Sequence, residues 1–534
     1  MNTLVQNFDL EDYENFINDG QFAGRNLSDF VSEVQRIYCS DKRPWVIGFS
    51  GGKDSTATMA LIYIALLGLK PEDRTKPIFV ISSDTLVETP VVVDMITGTL
   101  DAIAKGAERD NLPISTHLVT PKTSDTFWVN LLGKGYPAPT RQFRWCTERM
   151  KIDPVSQFIK ETVAEYDEVI IVLGSRSAES SSRAQVIAKH KMDGSRLARH
   201  TTLSNAFVYT PIETWDVNDV WALLRGGYKY SDFIDEWESP WGTSNLPLWT
   251  LYMHSSNQGE CPLVIDESTP SCGNSRFGCW TCTVVTKDKA MEALIENGEE
   301  WMLPLLRFRD LLAMTSEPVN KEKYRNYKRR DGRVIYQRAK NENELANERD
   351  IILGPYWLKY RKKWLEELLT IEKQLNDSGH TITLITEPEL HAIRQQWFAD
   401  PNEPDWEDSL PTIYQRVYGK DLKWSENDRA RFDAEDAKLL EQLGDEFDVA
   451  PALIKKLIEL ELSMEGLSRR SNVFNKIGTL LKQDWGSLEQ IQAKHSQVQA
   501  KHEFDLHKKT IEQYEEAIRE VDGLLKRAQE PELI

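Results

Sequence analysis

The chain has 534 residues, more than one hydrophobic core usually serves, so two or three domains are expected. With 84 acidic and 65 basic residues, its formal net charge of −19 opposes nonspecific attraction to nucleic acid and to anionic membranes. Any nucleic-acid contact must therefore use a local basic patch. The N-terminus shows no secretion signal, and the longest apolar run, residues 60–69, is too short to span a bilayer. We therefore expect a cytoplasmic protein with no membrane partner.

The first half of the chain has the pattern of an α/β fold. Residues 27–38 predict an amphipathic helix, and the stretch up to about residue 235 then alternates short apolar runs with helix-length segments. This alternation is typical of a parallel sheet with helices on both faces. The candidate strands are residues 45–49, 77–82, 115–119 and 168–173. Ligands of such sheets bind at the carboxyl ends of the strands.

The second half differs in composition. Residues 236–300 are rich in loops and contain four of the six cysteines. Residues 301–534 are rich in Leu, Glu and Lys, and we expect this region to be almost entirely helical. Five apolar residues near the C-terminus repeat at alternating steps of three and four residues: Ile511, Tyr514, Ile518, Val521 and Leu525. This spacing over residues 511–525 suits a coiled-coil or helical-hairpin seam, which either packs within its own domain or docks on a partner protein.

The sequence SGGKDS at residues 50–55 joins the first predicted strand to a long apolar helical segment. Backbone N–H groups at a helix N-terminus bind anions, and the two glycines permit a close approach. Ser50 and Ser55 supply hydroxyl groups, and Lys53 supplies a positive charge. The spacing differs from the GxxxxGK[ST] of the common NTP-hydrolysing loop. Gly68 stands where the C-cap of the following helix is expected. An ordinary glycine-rich turn is the plainer alternative.

Four cysteines are clustered with the spacing C-x10-C-x6-C-x2-C: Cys261, Cys272, Cys279 and Cys282. Four thiolates within such a short segment can enclose one tetrahedral zinc ion or an iron–sulfur cubane. The spacing alone does not separate these two. Sparse cysteines in a large chain argue against a disulfide framework.

The other two cysteines have different surroundings. Cys146 lies in RWCTERMK, residues 144–151, where neighbouring cations would lower its pKa and favour the nucleophilic thiolate. Cys39 is expected to be a buried, neutral thiol on the apolar side of the first helix.

These motifs resemble the PP-loop ATP pyrophosphatases and the related PAPS-reductase-like family, whose signature is SGGKDS. The resemblance covers roughly residues 40–225 and extends to these positions: Asp84, 144–151 with Pro154, 174–180 with Arg183, 211–215 and 219–221. It implies that the loop holds the pyrophosphate side of ATP, that cleavage falls between the α and β phosphates, and that Asp84 contacts the nucleoside. The implied ATP-binding residues are Ser50, Gly51, Gly52, Lys53, Asp54, Ser55, Asp84, Gly174, Arg176 and Arg183.

Three interpretations of the reaction compete within this superfamily. A thioredoxin-dependent sulfonucleotide reductase needs a nucleophilic cysteine near the C-terminus, and the sequence after Cys282 has none. The small subunit of an ATP sulfurylase leaves the four clustered cysteines unexplained. The third class adenylates an oxygen of a nucleic acid and replaces it with sulfur, as PP-loop tRNA thiolases do.

The loop, RWCTERMK, the cysteine spacing and the long helical C-terminal region together resemble the DndC-type sulfurtransferases of bacterial DNA phosphorothioation. This resemblance implies a [4Fe–4S] cluster on the four clustered cysteines, with zinc as the alternative. It implies that ATP, with Mg²⁺, adenylates a non-bridging oxygen of the DNA backbone and that sulfur from a cysteine desulfurase replaces that oxygen. Lys53, Asp54 and Cys146 are the candidate catalytic residues, with Cys146 as the sulfur carrier. Further subunits of a complex, including an ATPase and a DNA-binding subunit, would be partners.

The predicted organisation has four parts: an N-terminal helical segment (1–40), a PP-loop domain (41–235), a four-cysteine iron–sulfur module (236–300) and a helical C-terminal region (301–534). A tRNA thiolase and a non-catalytic nucleotide-binding scaffold remain alternative functions.

Residues 321–340 contain nine cations and two acids with tyrosines between them. Cations for phosphates and aromatic rings for bases are the expected footprint of a nucleic-acid contact. A solvated basic face of a helix is the plainer explanation.

Overall fold

The computed structural model describes residues 21–177, 196–200, 203, 205–226, 237–253, 278–337, 350–400, 402–405, 407–422, 424, 434–447, 449–462, 472–483, 485–486 and 488–529. Its first half contains these elements in chain order: β1 (Gln21–Phe22), β2 (Arg25–Asn26), α1 (Leu27–Cys39), β3 (Trp45–Gly48), α2 (Lys53–Leu67), β4 (Ile78–Ser83), α3 (Pro90–Arg109), β5 (Ile114–Val119), α4 (Asp153–Tyr166), β6 (Val169–Val172), β7 (Leu197–Arg199), β8 (Ala206–Tyr209), α5 (Val217–Leu224) and α6 (Leu246–Met253).

Six of the strands form one sheet in the order β5-β4-β3-β6-β8-β7. All neighbouring strands are parallel except β7, which runs antiparallel to β8. In the register of the central strand, Val46 lies opposite Phe79 of β4 and Ile171 of β6. Every residue of β3 is buried, as expected for a strand covered on both faces. The four predicted strands are confirmed, whereas the short strands β7 and β8 were not predicted.

Helices cover both faces of the sheet, which confirms the predicted α/β class. Helices α1, α2, α3 and α5 pack on one face, against Trp45 and Ile47 of β3. Helix α4 packs on the other face, where it meets Val46. Because side chains alternate along a strand, successive residues of β3 serve the two separate cores.

Helix α1 begins where the sequence predicts, and its buried stripe includes Leu27, Val34 and Tyr38. Cys39 follows that stripe at the last position of the helix, about 100° further round the axis, and its side chain is exposed. The prediction that Cys39 is a buried thiol is therefore wrong.

Helix α2 is buried on all sides from its first residue to Leu66. A helix that is apolar all round belongs in the interior of a domain, and α2 lies between the sheet and helices α1 and α5. The helix ends at Gly68, as predicted, but the glycine keeps a right-handed conformation with φ of −74°. The buried position of α2 fixes the loop at its N-terminus.

The second half contains these helices: α7 (Lys289–Glu296), α8 (Leu303–Met314), α9 (Leu358–Asp377), α10 (Glu387–Phe398), α11 (Ser409–Tyr418), α12 (Ala434–Phe447), α13 (Pro451–Leu462), α14 (Val473–Leu481) and α15 (Leu488–Gln529). A further core joins the α7–α11 region to residues 127–150 of the first half. Indole hydrogen bonds cross this junction, from Trp128 to the Leu384 carbonyl and from Trp397 to the Leu132 carbonyl, both at 2.7 Å. Within the described ranges, no helix combines the length and the apolar character that a membrane span requires.

Two predictions about the second half need correction. Between α8 and α9 the only helix of the described chain is the single turn Lys321–Tyr324, so the basic run is not the face of a long helix. The seam positions Ile511 and Tyr514 lie on α15, as predicted, but are 56% and 68% exposed. These two side chains do not pack within their own domain. The side chains of Ile518, Val521 and Leu525 lie outside the described part, as do residues 1–20.

Candidate active site

The loop between β3 and α2 lies where the strand order of the sheet reverses. The chain runs from β3 to β4 and β5 on one side, and then returns to β6 on the other side of β3. In an open α/β sheet, the carboxyl ends of the strands form a crevice at this point, and ligands bind there. Residues 50–55 after β3 and 174–176 after β6 therefore meet at one crevice.

Glycine is required in this loop for steric reasons. Gly51 has φ of +69°, and a Cβ atom there would lie 2.5 Å from Cγ1 of Ile96 in α3. Gly52 is the N-cap of α2, and a Cβ at this position would lie 3.3 Å from the Tyr252 hydroxyl. The backbone of the loop can thus follow a path that a side chain would block.

Serine hydroxyls and backbone amides line the loop. The Oγ atoms of Ser50 and Ser55 are 3.1 Å apart, and the Ser50 N–H donates to Ser55 Oγ over 3.2 Å. The Thr56 N–H donates to the Gly52 carbonyl over 3.0 Å, which closes the first turn of α2. These bonds shape the turn at the positive end of the helix dipole, so the loop suits an anion.

Three charged side chains are buried beside the loop: Lys53, Asp54 and Arg176. Lys53 Nζ lies 2.8 Å from Asp54 Oδ2, and Arg176 Nε lies 2.5 Å from Asp54 Oδ1. Both carboxylate oxygens are thus occupied by cations, and the trio carries a net positive charge. Asp54 acts here as the anchor of two cations, and the remaining charge favours a phosphate group nearby.

Gly174, which follows β6, lies against the backbone of α2. A Cβ at Gly174 would lie 2.7 Å from the Asp54 carbonyl oxygen and 2.9 Å from Thr58 Oγ1. This close approach brings Arg176 within reach of Asp54. The sequence-predicted residues after β3 and β6 are therefore brought together.

Asp84 lies at the carboxyl end of β4, on the same edge of the sheet. Its Oδ1 accepts a hydrogen bond from the Leu86 N–H over 2.8 Å. Burial raises the pKa of the Asp84 carboxyl; the Leu86 N–H opposes this rise and the Glu88 carboxylate adds to it. Asp84 is thus a half-buried oxygen ligand that a cation or a ribose hydroxyl would stabilise.

The segment 144–151 lies against the end of β4. Ser83 Oγ donates to the Met150 carbonyl over 3.2 Å, and Lys151 Nζ lies 3.3 Å from Glu88 Oε1. RWCTERMK therefore belongs to the same crevice edge as Asp84.

With this geometry in place, the chain can be compared with known proteins. Residues 44–285 match the family model of the phosphoadenosine phosphosulfate reductase domain. This stretch is therefore similar to the PAPS reductase domain. The match takes in the strands β3, β4 and β6, the loop 50–55 and the cysteine-rich segment up to residue 285.

Two curated relatives match part of the chain. They are the uncharacterised proteins MJ0066 and MJ0973 of Methanocaldococcus jannaschii, each 28% identical, over 207 and 210 residues. The matched part is 39% of this chain in both cases, and 36% and 43% of the relatives. The chain thus spans less than half the length of the curated relatives it matches.

Three solved structures overlap with the chain in part, each at 13% identity. The overlap with FMN adenylyltransferase of Candida glabrata covers 40% of this chain and 64% of the adenylyltransferase chain, with a TM-score of 0.24. NAD⁺ synthetase of Burkholderia pseudomallei covers 42% and 85%, with a TM-score of 0.25. The U34-tRNA thiolase NcsA of Methanococcus maripaludis, with its [4Fe–4S] cluster, covers 55% and 84%, with a TM-score of 0.23. The similarity to the PAPS reductase domain rests on the family model over residues 44–285.

Part of the cysteine-rich segment lies directly on the α/β domain. Thr85 Oγ1 is 3.3 Å from Cys279 Sγ, and Cys279 Sγ donates to Glu88 Oε1 over 3.7 Å. The Trp280 N–H donates to the Val87 carbonyl over 2.9 Å. Burial raises the pKa of the Cys279 thiol, and the Glu88 carboxylate adds to this effect. Cys279 therefore lies at the end of β4, against the residues that directly follow Asp84.

Cys146 is half-buried and packs against the same core as Cys279. The two are close enough that the charge of Cys146 contributes to the raised pKa of Cys279. Two cations of this segment have carboxylate or amide partners: Arg149 donates to Asn130 Oδ1 over 2.7 Å, and Lys151 pairs with Glu88. Activation of the Cys146 thiolate by neighbouring cations stays a prediction.

Cys279 and Cys282 have the geometry of a C-x-x-C ligand pair. The Cys282 N–H donates to the Cys279 carbonyl over 3.0 Å, which closes a tight turn, and both thiols are half-buried. Soft thiolates on such a turn fit zinc or an iron–sulfur cluster. Cys261 and Cys272 lie outside the described residues. Among the described residues, no group of three or more His, Cys, Asp or Glu side chains is arranged to hold a metal ion.

Arg183 also lies outside the described residues, so its role stays a prediction. Mg²⁺ usually binds proteins through one or two carboxylates and keeps several waters. Asp84 fits that role better than Asp54, because both Asp54 oxygens already accept from Lys53 and Arg176.

Several residues at the crevice were not predicted from the sequence. Tyr252 of α6 accepts a hydrogen bond from the Lys53 N–H over 3.3 Å, and its ring centroid lies 5.1 Å from Lys53 Nζ. Thr85 and Glu88 contact Cys279. Thr85 and Glu88 follow a predicted strand end, so their position in the sequence could have indicated that they belong to the site. Tyr252 is 199 residues distant from Lys53, and no local pattern in the sequence indicates this contact.

Proposed function

We propose that this protein is an ATP-dependent sulfurtransferase that replaces a non-bridging oxygen of a DNA backbone phosphate with sulfur. The observation that carries the proposal is that Cys279 and the segment 144–151, which contains Cys146, both contact the end of β4 that presents Asp84. An ATP pyrophosphatase loop alone would suit many ligases. A thiol beside the nucleotide crevice suits transfer of sulfur to the activated acceptor.

In the first step, a non-bridging oxygen of the acceptor phosphate attacks the α-phosphorus of ATP. An O–P bond forms to the AMP moiety, the bond between the α-phosphorus and the bridging oxygen breaks, and pyrophosphate leaves. The acceptor oxygen is already anionic, so no general base is needed. The amides of residues 50–55 and the cations Lys53 and Arg176 would stabilise the departing pyrophosphate. Mg²⁺, with Asp84 as a ligand, would neutralise part of the phosphate charge.

In the second step, the terminal sulfur of a Cys146 persulfide attacks the adenylated phosphorus. An S–P bond forms, and the bond to the AMP oxygen breaks. A thiol then attacks Cys146 Sγ, which breaks the S–S bond and leaves its electron pair on the phosphorothioate sulfur. The thiol and Cys146 are joined in a disulfide, so the two electrons come from thiol oxidation.

The sulfur of the persulfide would come from a cysteine desulfurase, and the remaining subunits of a DNA-modification complex would deliver the DNA. A metal centre on Cys279 and Cys282, with Cys261 and Cys272 as further ligands, would supply a structural or redox function as a [4Fe–4S] cluster. The short turn between Cys279 and Cys282 supports a metal centre, and it suits zinc equally well.

The proposal is tested by mass spectrometry of nuclease-resistant dinucleotides from host DNA. Cells with the wild-type protein should yield phosphorothioate dinucleotides, and cells with Lys53→Ala or Cys146→Ser should yield none. Arg416→Gln serves as a control, because Arg416 forms an exposed ion pair with Glu366 far from the crevice in sequence. Full sulfur incorporation in the Cys146→Ser cells would exclude Cys146 as the carrier.

The same cultures separate the alternatives. Thiolated tRNA bases without phosphorothioate linkages would favour a PP-loop tRNA thiolase. Absence of Lys53-dependent pyrophosphate release from ATP, with every nucleic-acid acceptor tested, would leave a nucleotide-binding scaffold. Purification without oxygen, followed by iron, sulfide and zinc analysis, distinguishes an iron–sulfur cluster from a structural zinc ion.

A further inference from the structure

A cavity of about 720 Å³ lies between the segment that leads to Cys146 and the basic run of the second half. One wall is formed by residues 135–149, and the opposite wall by residues from Ser316 to Arg330 together with Gly354 and Pro355. A backbone hydrogen bond joins the two walls, from the Tyr356 N–H to the Gly135 carbonyl over 2.7 Å. Within the second wall, the Asn326 N–H donates to the Pro355 carbonyl over 2.7 Å. The cavity is thus a built feature of the interface between the two halves.

The lining of this cavity is strongly cationic in a protein whose net charge is −19. Its charged members are one acid, Glu148, and six cations: Arg144, Arg149, Lys321, Arg325, Arg329 and Arg330. Within the described part of the chain, four of these cations form no ion pair: Lys321, Arg325, Arg329 and Arg330. An excess of unneutralised positive charge in a concave site raises the local concentration of anions.

Two of these guanidinium groups are held in place by backbone carbonyls. Arg325 donates to the Gly354 carbonyl over 2.9 Å and to the Leu353 carbonyl over 2.5 Å, and Arg329 donates to Leu353 over 2.9 Å. Burial lowers the pKa of Arg325, and the positive charge of Arg329 contributes to this lowering. The structure therefore holds two like charges close together although they repel each other. An anionic ligand between them would offset this repulsion.

Aromatic rings accompany the cations. The Tyr136 ring lies 5.0 Å from the Arg149 guanidinium and 5.8 Å from that of Arg330. Trp145 is buried, with its ring edge-to-face against Tyr136 at 5.7 Å. Phe143 is 47% exposed and lines the cavity. Exposed aromatic rings beside cations provide stacking surfaces for bases that are not paired.

The cavity and the crevice at the end of β4 share one segment of the chain. Trp145 lines it, and Cys146 is the next residue in the chain. A few residues further on, the Met150 carbonyl accepts from Ser83 at the end of β4, and Lys151 pairs with Glu88. One short segment, residues 144–151, thus connects the cationic cavity with the strand end where Asp84 and Cys279 lie.

We propose that this cavity binds a single-stranded segment of the acceptor nucleic acid, with its phosphodiester backbone on the four unneutralised cations and a base on Phe143. This inference rests on the proposed function for its connection to Cys146, but the binding itself does not require that reaction. The volume suits a short stretch of single strand and not a double helix. A duplex acceptor would therefore have to be opened locally before the phosphate reaches Cys146.

The test measures binding of the full-length protein to a fluorescein-labelled oligothymidylate by anisotropy, at several salt concentrations. The variant is Lys321→Gln/Arg330→Gln, which removes two cavity charges that make no backbone hydrogen bond in the described part. The matched control is Lys323→Gln/Arg333→Gln, which removes two charges from the same run. Lys323 and Arg333 are exposed and do not line the cavity.

The cavity variant should bind about tenfold more weakly than the control, and the log–log slope of its salt dependence should fall by about 0.7 for each phosphate that it no longer neutralises. Phe143→Ala should also weaken binding, by an amount that does not depend on salt. Equal affinities of the two double variants would overturn the proposal, as would equal affinity of the wild-type protein for the single strand and for its duplex.

These outcomes are independent of sulfur transfer. Charge-dependent binding of oligothymidylate by a protein that forms no phosphorothioate would leave the cavity as a nucleic-acid site and overturn the proposed reaction. The same experiment with an oligouridylate separates the acceptors. Tighter binding of DNA supports both proposals, whereas tighter binding of RNA supports the cavity and contradicts a DNA acceptor.

Discussion

Arg176 Nε donates to Asp54 Oδ1 over 2.5 Å, and this contact joins the loop after β6 to the first turn of α2. Both side chains are buried, and Lys53 holds the other carboxylate oxygen. The two strand ends that flank the crevice are therefore linked through one carboxylate. Loss of this link should affect both the stability of the domain and the position of the pyrophosphate loop.

Arg176→Gln should lower the free energy of unfolding by about 3 kcal/mol. This is the small end of the usual cost of breaking a buried ion pair, because Lys53 still contacts Asp54. Urea denaturation measures this change. Arg416→Gln, which breaks the exposed pair with Glu366, should cost less than about 1 kcal/mol. Equal effects of the two substitutions would mean that the buried pair does not stabilise the domain.

Gly174→Ala tests the close approach between the loop after β6 and α2. The added Cβ would meet the backbone of Asp54 at 2.7 Å and 2.8 Å, and backbone cannot move aside as a side chain can. We expect a loss of about 1–3 kcal/mol in stability and weaker ATP binding. The control is Gly98→Ala, in the middle of α3, where a Cβ meets nothing within 4 Å. It should stabilise the protein by roughly 0.5–1 kcal/mol.

Tyr252→Phe tests whether this hydroxyl occupies part of the anion site. The Tyr252 hydroxyl accepts from the Lys53 N–H, a donor that the pyrophosphate of ATP would use. Removing the hydroxyl should free that N–H and tighten ATP binding a few-fold, as measured by calorimetric titration. Weaker binding would show instead that the hydroxyl contacts the nucleotide. Tyr63→Phe, which removes a hydrogen bond to Asp110, should leave ATP affinity unchanged.

The parts of the fold that could be predicted from the sequence are those with a local signal. The strands β3 and β6 are continuous apolar runs, and SGGKDS marks the following turn, so residues 50–55 and 174–176 were placed correctly. The prediction for Cys39 was wrong because this residue lies one position beyond the apolar stripe of α1. The contact of Tyr252 with Lys53 and the walls of the cationic cavity depend on residues far apart in sequence, for which no periodicity gives a signal.

The basic run shows the same limit in a different way. Its composition predicted a nucleic-acid contact, but not which of its cations face a common site. Arg325 and Arg329 bond to the Leu353 carbonyl and line the cavity with residues 135–149, whereas Lys323 and Arg333 are exposed and do not line it. Only the tertiary structure separates these two groups.

Arg309 is a further test of the cysteine module, because its buried guanidinium holds the chain that follows the C-x-x-C turn. It donates to the carbonyls of Cys282 over 2.8 Å and Thr286 over 3.1 Å, and also to the carbonyl of Val285. These bonds fix the backbone at a proposed ligand, and loss of such outer contacts typically lowers metal affinity by about 10- to 100-fold. Arg309→Met should therefore lose iron faster than the wild-type protein when it is challenged with a chelator.

The matched control for this experiment is Arg307→Gln, on the exposed side of the same helix α8. It should retain iron as the wild-type protein does. Arg309→Lys keeps the charge but can make fewer of the three carbonyl bonds, so its iron retention should fall between the two. If all three variants keep iron equally well, the hydrogen bonds from Arg309 to the segment after Cys282 stabilise the fold but not the metal centre. A graded loss from Arg307→Gln through Arg309→Lys to Arg309→Met would connect the core helix α8 directly to the stability of the metal centre.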